Sequence, residues 1–228
     1  MFFTLPFSLG LLGLTSAMPV LDPRAGGPMI STSTGVQLAF TNTSAAPTPE
    51  LYERVYTTMF SLQRLSQGVN AGVVVPRSSE RDDVNNNPAK DVPVFYFADV
   101  SDANGASTVM RTDVPGVYPL SAVVGAGSEH QVGLYTASPG TAGLFAWTGA
   151  DGIPILSGPR DGGLPGQGTY AVCPRAIGSL QDLLLVSYVY PGETLPADCI
   201  AGNFVLLCGT LPETEWASGA RAVPCVVQ

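Results

Sequence analysis

The sequence predicts a mostly β protein: an antiparallel β-sandwich or barrel-like domain with one N-terminal helix and two disulfides. Three observations predict it. Only 12% of the 228 residues are charged, and Gly (26) and Pro (20) together outnumber the charges. Short runs rich in Val, Leu, Tyr and Phe recur roughly every ten residues, with turn signals between them. Four cysteines, an even number, all lie beyond residue 172. A hydrophobic fraction of 45% supplies a full core and argues against wholesale disorder. No internal repeat points to a propeller or solenoid.

Residues 1–17 read as a cleaved secretory leader. Leu5–Leu14 is uncharged and apolar, and Thr15-Ser16-Ala17 places small residues where a signal peptidase acts. Pro6, Gly10 and Gly13 interrupt the run, which is shorter than the about 20 apolar residues of a spanning helix. It departs from the usual leader in having no Lys or Arg before the apolar stretch. No second run of spanning length follows, so no membrane span is expected, and the mature chain is expected to start at Met18 and to be extracellular. Residues 18–34, rich in Pro, Gly, Ser and Thr, read as a flexible N-terminal segment, and 35–228 as a single mostly-β domain.

Within that domain, Asn42-Thr43-Ser44 is the one N-glycosylation sequon, which makes Asn42 a candidate glycan site on a surface loop. Thr48-Pro49-Glu50 has the form of a helix start: a cap, proline in the first turn, then an acid. Leu51, Val55, Met59 and Leu62 continue at helical spacing up to Gly68; a strand through Met59–Leu65 is the alternative. From Ala71 the texture is β. Candidate strands are Gly72–Val75, Val92–Ala98, Ser107–Thr112, Val117–Val124, Gln131–Thr136, Gly143–Thr148, Ile153–Ser157, Thr169–Cys173, Leu183–Tyr190, Asn203–Leu211 and Arg221–Gln228. Ser78–Lys90 reads as a polar loop, and Gly158–Gly168 as too rich in Gly and Pro for regular structure.

The net charge of −8 and pI near 4.4 disfavour nucleic acid and anionic membranes as partners, and the single lysine, Lys90, offers no local exception. Cys173, Cys199, Cys208 and Cys225 contain no C-x-x-C pair of the zinc type, so in an oxidising compartment they read as two disulfides. Three connectivities exist. Candidate strands 203–211 and 221–228, drawn as a hairpin, would favour Cys173–Cys199 with Cys208–Cys225.

The order Tyr170-Ala171-Val172-Cys173, an apolar strand Leu183–Tyr188, then Pro196-Ala197-Asp198-Cys199 and a strand from Phe204 resembles the end of a family of small secreted fungal proteins of unknown function. The resemblance covers about residues 169–208, and this chain departs from it in carrying Cys208, Cys225 and the segment between them. It implies secretion, a mostly β domain and a Cys173–Cys199 bridge; the family has no assigned activity to carry over.

Chemistry is sparse. His130 is the only histidine, in Gly127-Ser128-Glu129-His130, and no Gly-x-Ser-x-Gly elbow accompanies it; solvated surface is the simpler expectation. Asp99, Asp113, Glu129, Asp151 and Asp182 are candidates for a carboxylate pair, Asp151 lying near Trp147. Asp102-Ala103-Asn104-Gly105 fails as a calcium loop, because Val100 and Arg111 fall at its end positions; Asn104-Gly105 is better explained as a hairpin turn. Asp82 and Asp83 read as a solvated loop rather than a cation site. Gly162–Gly168 lacks the Lys-Ser/Thr ending of a phosphate loop. The expected protein is therefore a secreted, disulfide-stabilised binding or surface module, with no catalytic residue, metal or cofactor assigned. Its expected partner is a cell-wall glycan or an extracellular protein. The alternatives are a carbohydrate-active hydrolase using paired carboxylates and an apolar-ligand carrier, the latter suggested by a mean hydropathy of +0.24.

Overall fold

The computed structural model describes residues 28–228, apart from 57, 67, 77–91, 103–104, 114–118, 137, 150, 162–163, 167 and 212–214. The leader, most of the 18–34 segment, the polar loop 78–90 with Asp82 and Asp83, and Asn104 lie outside the described residues.

The chain is mostly strand, as expected, and its large sheet closes on itself. β1 (Ile30–Ser33) lies inside the segment read as a lead-in. It is followed by β2 (Gly35–Asn42), the spine of the sheet. β2 pairs along its full length with β15 (Ile200–Gly209), from Gly35↔Gly209 to Asn42↔Gly202. Its other edge meets β5 (Phe95–Asp102) at Val36 and β3 (Thr58–Ser66) at Ala39. β3 turns into β4 (Val69–Pro76). β4 then meets β8 (Val132–Tyr135) at Val69–Ala71 and β14 (Leu180–Val189) at Val73. β13 (Thr169–Ile177) pairs with both β14 and β15 and closes one ring. β6 (Gly105–Thr112) and β7 (Leu120–Val124) lead from β5 to β8 and close a second. The two rings share β2, β3 and β4, and this closure satisfies strand edges that an open sheet would expose.

One core fills the inside. Because strand side chains alternate between faces, Val36, Leu38 and Phe40 of β2, Phe95 and Phe97 of β5, Val172 of β13 and Phe204 and Leu206 of β15 all point inward and are buried. Phe204 sits at the centre, its ring 5.4 Å from Phe40, 5.3 Å from Phe60 and 5.2 Å from Tyr170. Gly202 faces the same interior, and a Cβ there would lie 2.4 Å from both Phe40 Cζ and Thr41 O, so only glycine lets β2 and β15 approach so closely.

The helix starts where the sequence places it and ends early. α1 (Pro49–Val55) is capped by Thr48, whose side chain accepts from Leu51 N at 3.2 Å. It stops at Val55, and Met59 and Leu62 belong to β3 instead. The run Val55-Tyr56-Thr57-Thr58 favours extended backbone. Tyr56 turns out of the helix, and Thr58 Oγ1 donates to the Val55 carbonyl at 2.9 Å. Gly68, read as a helix stop, is instead a positive-φ residue (72°) of the β3–β4 turn.

Two further corrections concern β structure. Gly158–Gly168 contains a small hairpin, β11 (Gly158–Asp161) with β12 (Leu164–Gly166). Its glycines serve packing: a Cβ at Gly158 would lie 2.0 Å from Tyr188 Oη, and Gly168 N donates to that oxygen at 2.9 Å. β16 (Val223–Val226) does not form a hairpin with β15. It runs parallel to β15 at Leu207↔Val226 and antiparallel to β1. Before it, the chain makes a 3-10 turn at Glu215–Gly219 and bridges Ala220 to Ala98 of β5. That detour reverses the arrival direction of β16. β16 follows β13 and β10 (Pro154–Leu156) along the same edge of β15, and β9 (Ala146–Thr148) pairs with β10.

Both disulfides form with the expected connectivity. Cys173–Cys199 spans Cα atoms 4.3 Å apart, and Cys208–Cys225 spans 5.0 Å. Among the described residues no helix is long and apolar enough to cross a membrane.

Candidate functional site

β14 carries the apolar run Leu183–Val189, broken only by Ser187, and from Leu184 onward it is buried on both faces. Its inward residues join the main core. Its outward residues need a second cover, which β13 and two loops provide. Ala171, Cys173, Val189 and Cys199 form a small separate core there, with Leu195 packed on it. Above it lies a cavity of about 230 Å³. Ala171, Cys173, Ser187 and Val189 form its floor, Ser128–His130 one wall, and Glu193, Thr194 and Pro196 the other, with Arg175 at its side.

The first wall is anchored by backbone. Gln131 bridges Ser187, and Tyr188 N donates to the His130 carbonyl at 3.1 Å. His130 takes a left-handed conformation (φ 43°), and its N–H donates to Gly127 O at 2.9 Å. Its ring lies edge-on to Tyr190, centroids 4.7 Å apart. Nδ1 is 3.0 Å from Gly125 O, and Nε2 is 3.0 Å from Glu193 Oε1. The side chain is 18% exposed, so His130 is held between two loops rather than solvated. The Gly125 carbonyl holds the imidazole above its ordinary value of 6.5; partial desolvation opposes this and the Glu193 carboxylate reinforces it. Glu193 follows Gly192, a positive-φ turn residue, and accepts from Tyr190 N at 2.9 Å through its second oxygen. That N–H, then His130, keeps the Glu193 carboxyl below its usual range.

Arg175 organises the other charges. Its Nε donates to Glu129 Oε1 at 2.9 Å, and Nη1 donates to Pro174 O at 2.8 Å and to Asp198 Oδ2. Nη2 lies 3.7 Å from Cys199 Sγ, so the guanidinium covers one end of the disulfide. Desolvation works against the Arg175 charge, yet Asp198 and Glu129 more than offset it and its pKa rises. The Arg175 hydrogen bonds hold the Asp198 carboxyl below its ordinary 3.8. Arg175→Met is expected to lower stability by about 0.5–1 kcal/mol at neutral pH, because both carboxylates are partly solvated and screened. A depressed carboxyl stabilises above its unfolded value and ceases to as pH falls through its folded one. The difference between wild type and Arg175→Met, measured by urea unfolding, should therefore shrink below about pH 4. A difference independent of pH would contradict the assignment.

The acids singled out from sequence go to separate partners. Asp99 pairs with Arg221 at 3.1 Å on an exposed surface, and Asp113 accepts from Tyr96 Oη at 3.0 Å. Asp151 accepts from Ile153 N at 3.0 Å and shapes a turn rather than a sugar site with Trp147. Asp182 offers its backbone carbonyl to Arg54. Only Glu129 reaches the cavity. The residues that build the site with it (Arg175, Ser187, Glu193 and Asp198) carry no local signature, since Glu193 meets His130 across a sequence separation of 63. The clue available was the length of the apolar run in β14, which requires cover on both faces. Asn42 is exposed at the end of β2, and its Nδ2 donates to Ser44 O at 3.3 Å.

Comparison with protein-family models, curated proteins and solved structures finds no match to this chain.

Proposed function

We propose that the chain is a secreted, disulfide-stabilised binding module that works without covalent catalysis, and that the cavity over β13 and β14 is its ligand site. The observation that carries this is how the cavity's ionisable groups are committed. Both ring nitrogens of His130 are engaged by Gly125 O and Glu193, so the imidazole is not placed to activate the Ser187 hydroxyl beside it. Arg175 is likewise spent on Glu129 and Asp198. What remains for a ligand is the hydroxyls of Ser187, Ser128 and Thr194 and the apolar floor of Ala171 and Val189. About 230 Å³ is below the roughly 300–1,000 Å³ of drug-sized pockets, so it suits one unit of a polymer. That unit would be a sugar of a cell-wall glycan or a side chain of an extracellular protein. The barrel interior is filled by Phe40, Phe60, Tyr170 and Phe204, which weighs against an apolar-ligand carrier. The leader, the resemblance at residues 169–208 and the two disulfides support secretion; Asn42 is proposed to carry a glycan.

The test is titration calorimetry with soluble β-glucan, chitin and mannan fragments, on wild type and on Ser187→Leu, whose side chain fills the cavity. Binding by the wild type that Ser187→Leu abolishes, with thermal unfolding little changed, is the expected result. Release of reducing sugar from any of these fragments would overturn the non-catalytic reading.

A further inference from the structure

The pair that ties the two walls of the cavity together has a proton requirement written into its geometry. Nδ1 of His130 faces a carbonyl oxygen and Nε2 faces a carboxylate oxygen, both at 3.0 Å. Both are acceptors. A neutral imidazole carries one N–H and serves one of them; only the imidazolium serves both. We propose that His130 and Glu193 form a proton-operated clasp between the Gly125–His130 loop and the Tyr190–Pro196 loop, closed in mildly acidic medium and released as the ring loses its proton.

Which bond is lost follows from what fixes each group. The contact to Gly125 O lies within His130's own loop, where His130 N also bonds Gly127 O and its carbonyl is held by Tyr188 N. Glu193 Oε2 stays bound to Tyr190 N. The neutral ring therefore keeps Nδ1–H on Gly125 O and turns a lone pair toward Glu193 Oε1. Lone pair against carboxylate is repulsive, and the His130–Glu193 hydrogen bond between the loops is gone.

The surroundings favour the closed state. Glu129 adjoins His130 on its own loop, and Arg175 faces in from β13, bonded to both Glu129 and Asp198. Glu193 faces it from the opposite loop, with Tyr188 and Tyr190 as the neighbouring phenols. Glu129 and Asp198 are thus neutralised by Arg175, and the Gly125 carbonyl and the Glu193 carboxylate are what favour the protonated ring. The sign is set by both partners. His130, raised above 6.5, contributes below that value and ceases to as pH climbs through its higher folded one. Glu193, lowered below 4.5, contributes above that value and ceases to in stronger acid. The clasp is closed across the interval between.

This inference takes the cavity to be the ligand site only for its consequence, which is proton-controlled access. Its test uses ligand-free protein, so a failed clasp and a failed binding reading remain distinguishable. The His130 ring is titrated by NMR in wild type and in Glu193→Gln. Amide exchange of 125–130 and 190–196 is compared at about pH 5 and about pH 8 after correction for intrinsic rates. The wild-type ring is expected to titrate above 6.5 and to shift down in Glu193→Gln. Opening of both loops should rise several-fold at the higher pH in wild type, and Glu193→Gln should show much less pH dependence. A ring that titrates at or below 6.5, or loop protection that ignores both pH and the substitution, would overturn the clasp.

Discussion

Phe204→Ala is expected to destabilise the protein by about 3–5 kcal/mol, the loss typical of a large ring removed from a packed core. Phe204 is fully buried, and its ring touches those of Phe40, Phe60 and Tyr170. Those rings come from β2, β3 and β13, so one side chain contacts three strands of the closed circuit that also contains β15. Two of the contacts are edge-to-face, which adds to area burial. The void would be hard to fill, because Tyr170 is pinned by its Oη donating to Ser157 O at 2.8 Å and Phe40 is pressed against Gly202. Urea unfolding should show a lower midpoint with an unchanged slope, and Phe204→Leu should retain most of the stability. A loss under about 1 kcal/mol would mean that the ring is not the hub of the core.

The strands were legible because their pattern is local. Val36, Leu38 and Phe40 alternate with more exposed neighbours, and turn residues sit between runs. The start of α1 was legible for the same reason: Thr48 and Pro49 act within one turn. Its end was not, since Met59 and Leu62 fit helical spacing equally well and only pairing with β4 decides between the two. The parallel arrival of β16 depends on a detour past β5 at Ala98, which no spacing encodes. Gly158 and Gly168 look like breakers until Tyr188 is placed against them. The site was the least legible part. It is built from the outward face of β13 and β14 and from two loops far apart in sequence, so its residues become neighbours only after the sheet closes. The disulfide partners were recoverable although the hairpin drawn for one of them was wrong: a parallel arrival at Leu207↔Val226 brings Cys225 beside Cys208 as well as an antiparallel one does.

Removing either disulfide is expected to cost about 3 kcal/mol, because loop closures of 26 and 17 residues differ little in chain entropy. Where the loss is felt should differ. Cys208–Cys225 fastens β16, whose ladder to β15 is a single parallel pair, and β1 is held to the sheet through β16. Cys208→Ala/Cys225→Ala should therefore free the amides of Ile30–Ser33 and Val223–Val226 first and leave the cavity intact. Cys173–Cys199 joins β13 to the loop before β15, beneath the cavity and against Arg175. In Cys173→Ala/Cys199→Ala, Asp198 and Arg175 lose the anchor that aligns them. Exchange should then increase at 190–199 while β1 and β16 stay protected. Amide exchange on the two double variants separates these outcomes. If both loosen the same region, each bridge acts on the unfolded chain alone and neither has a local role; if they differ as described, the Cys173–Cys199 bridge is part of the framework that positions the cavity.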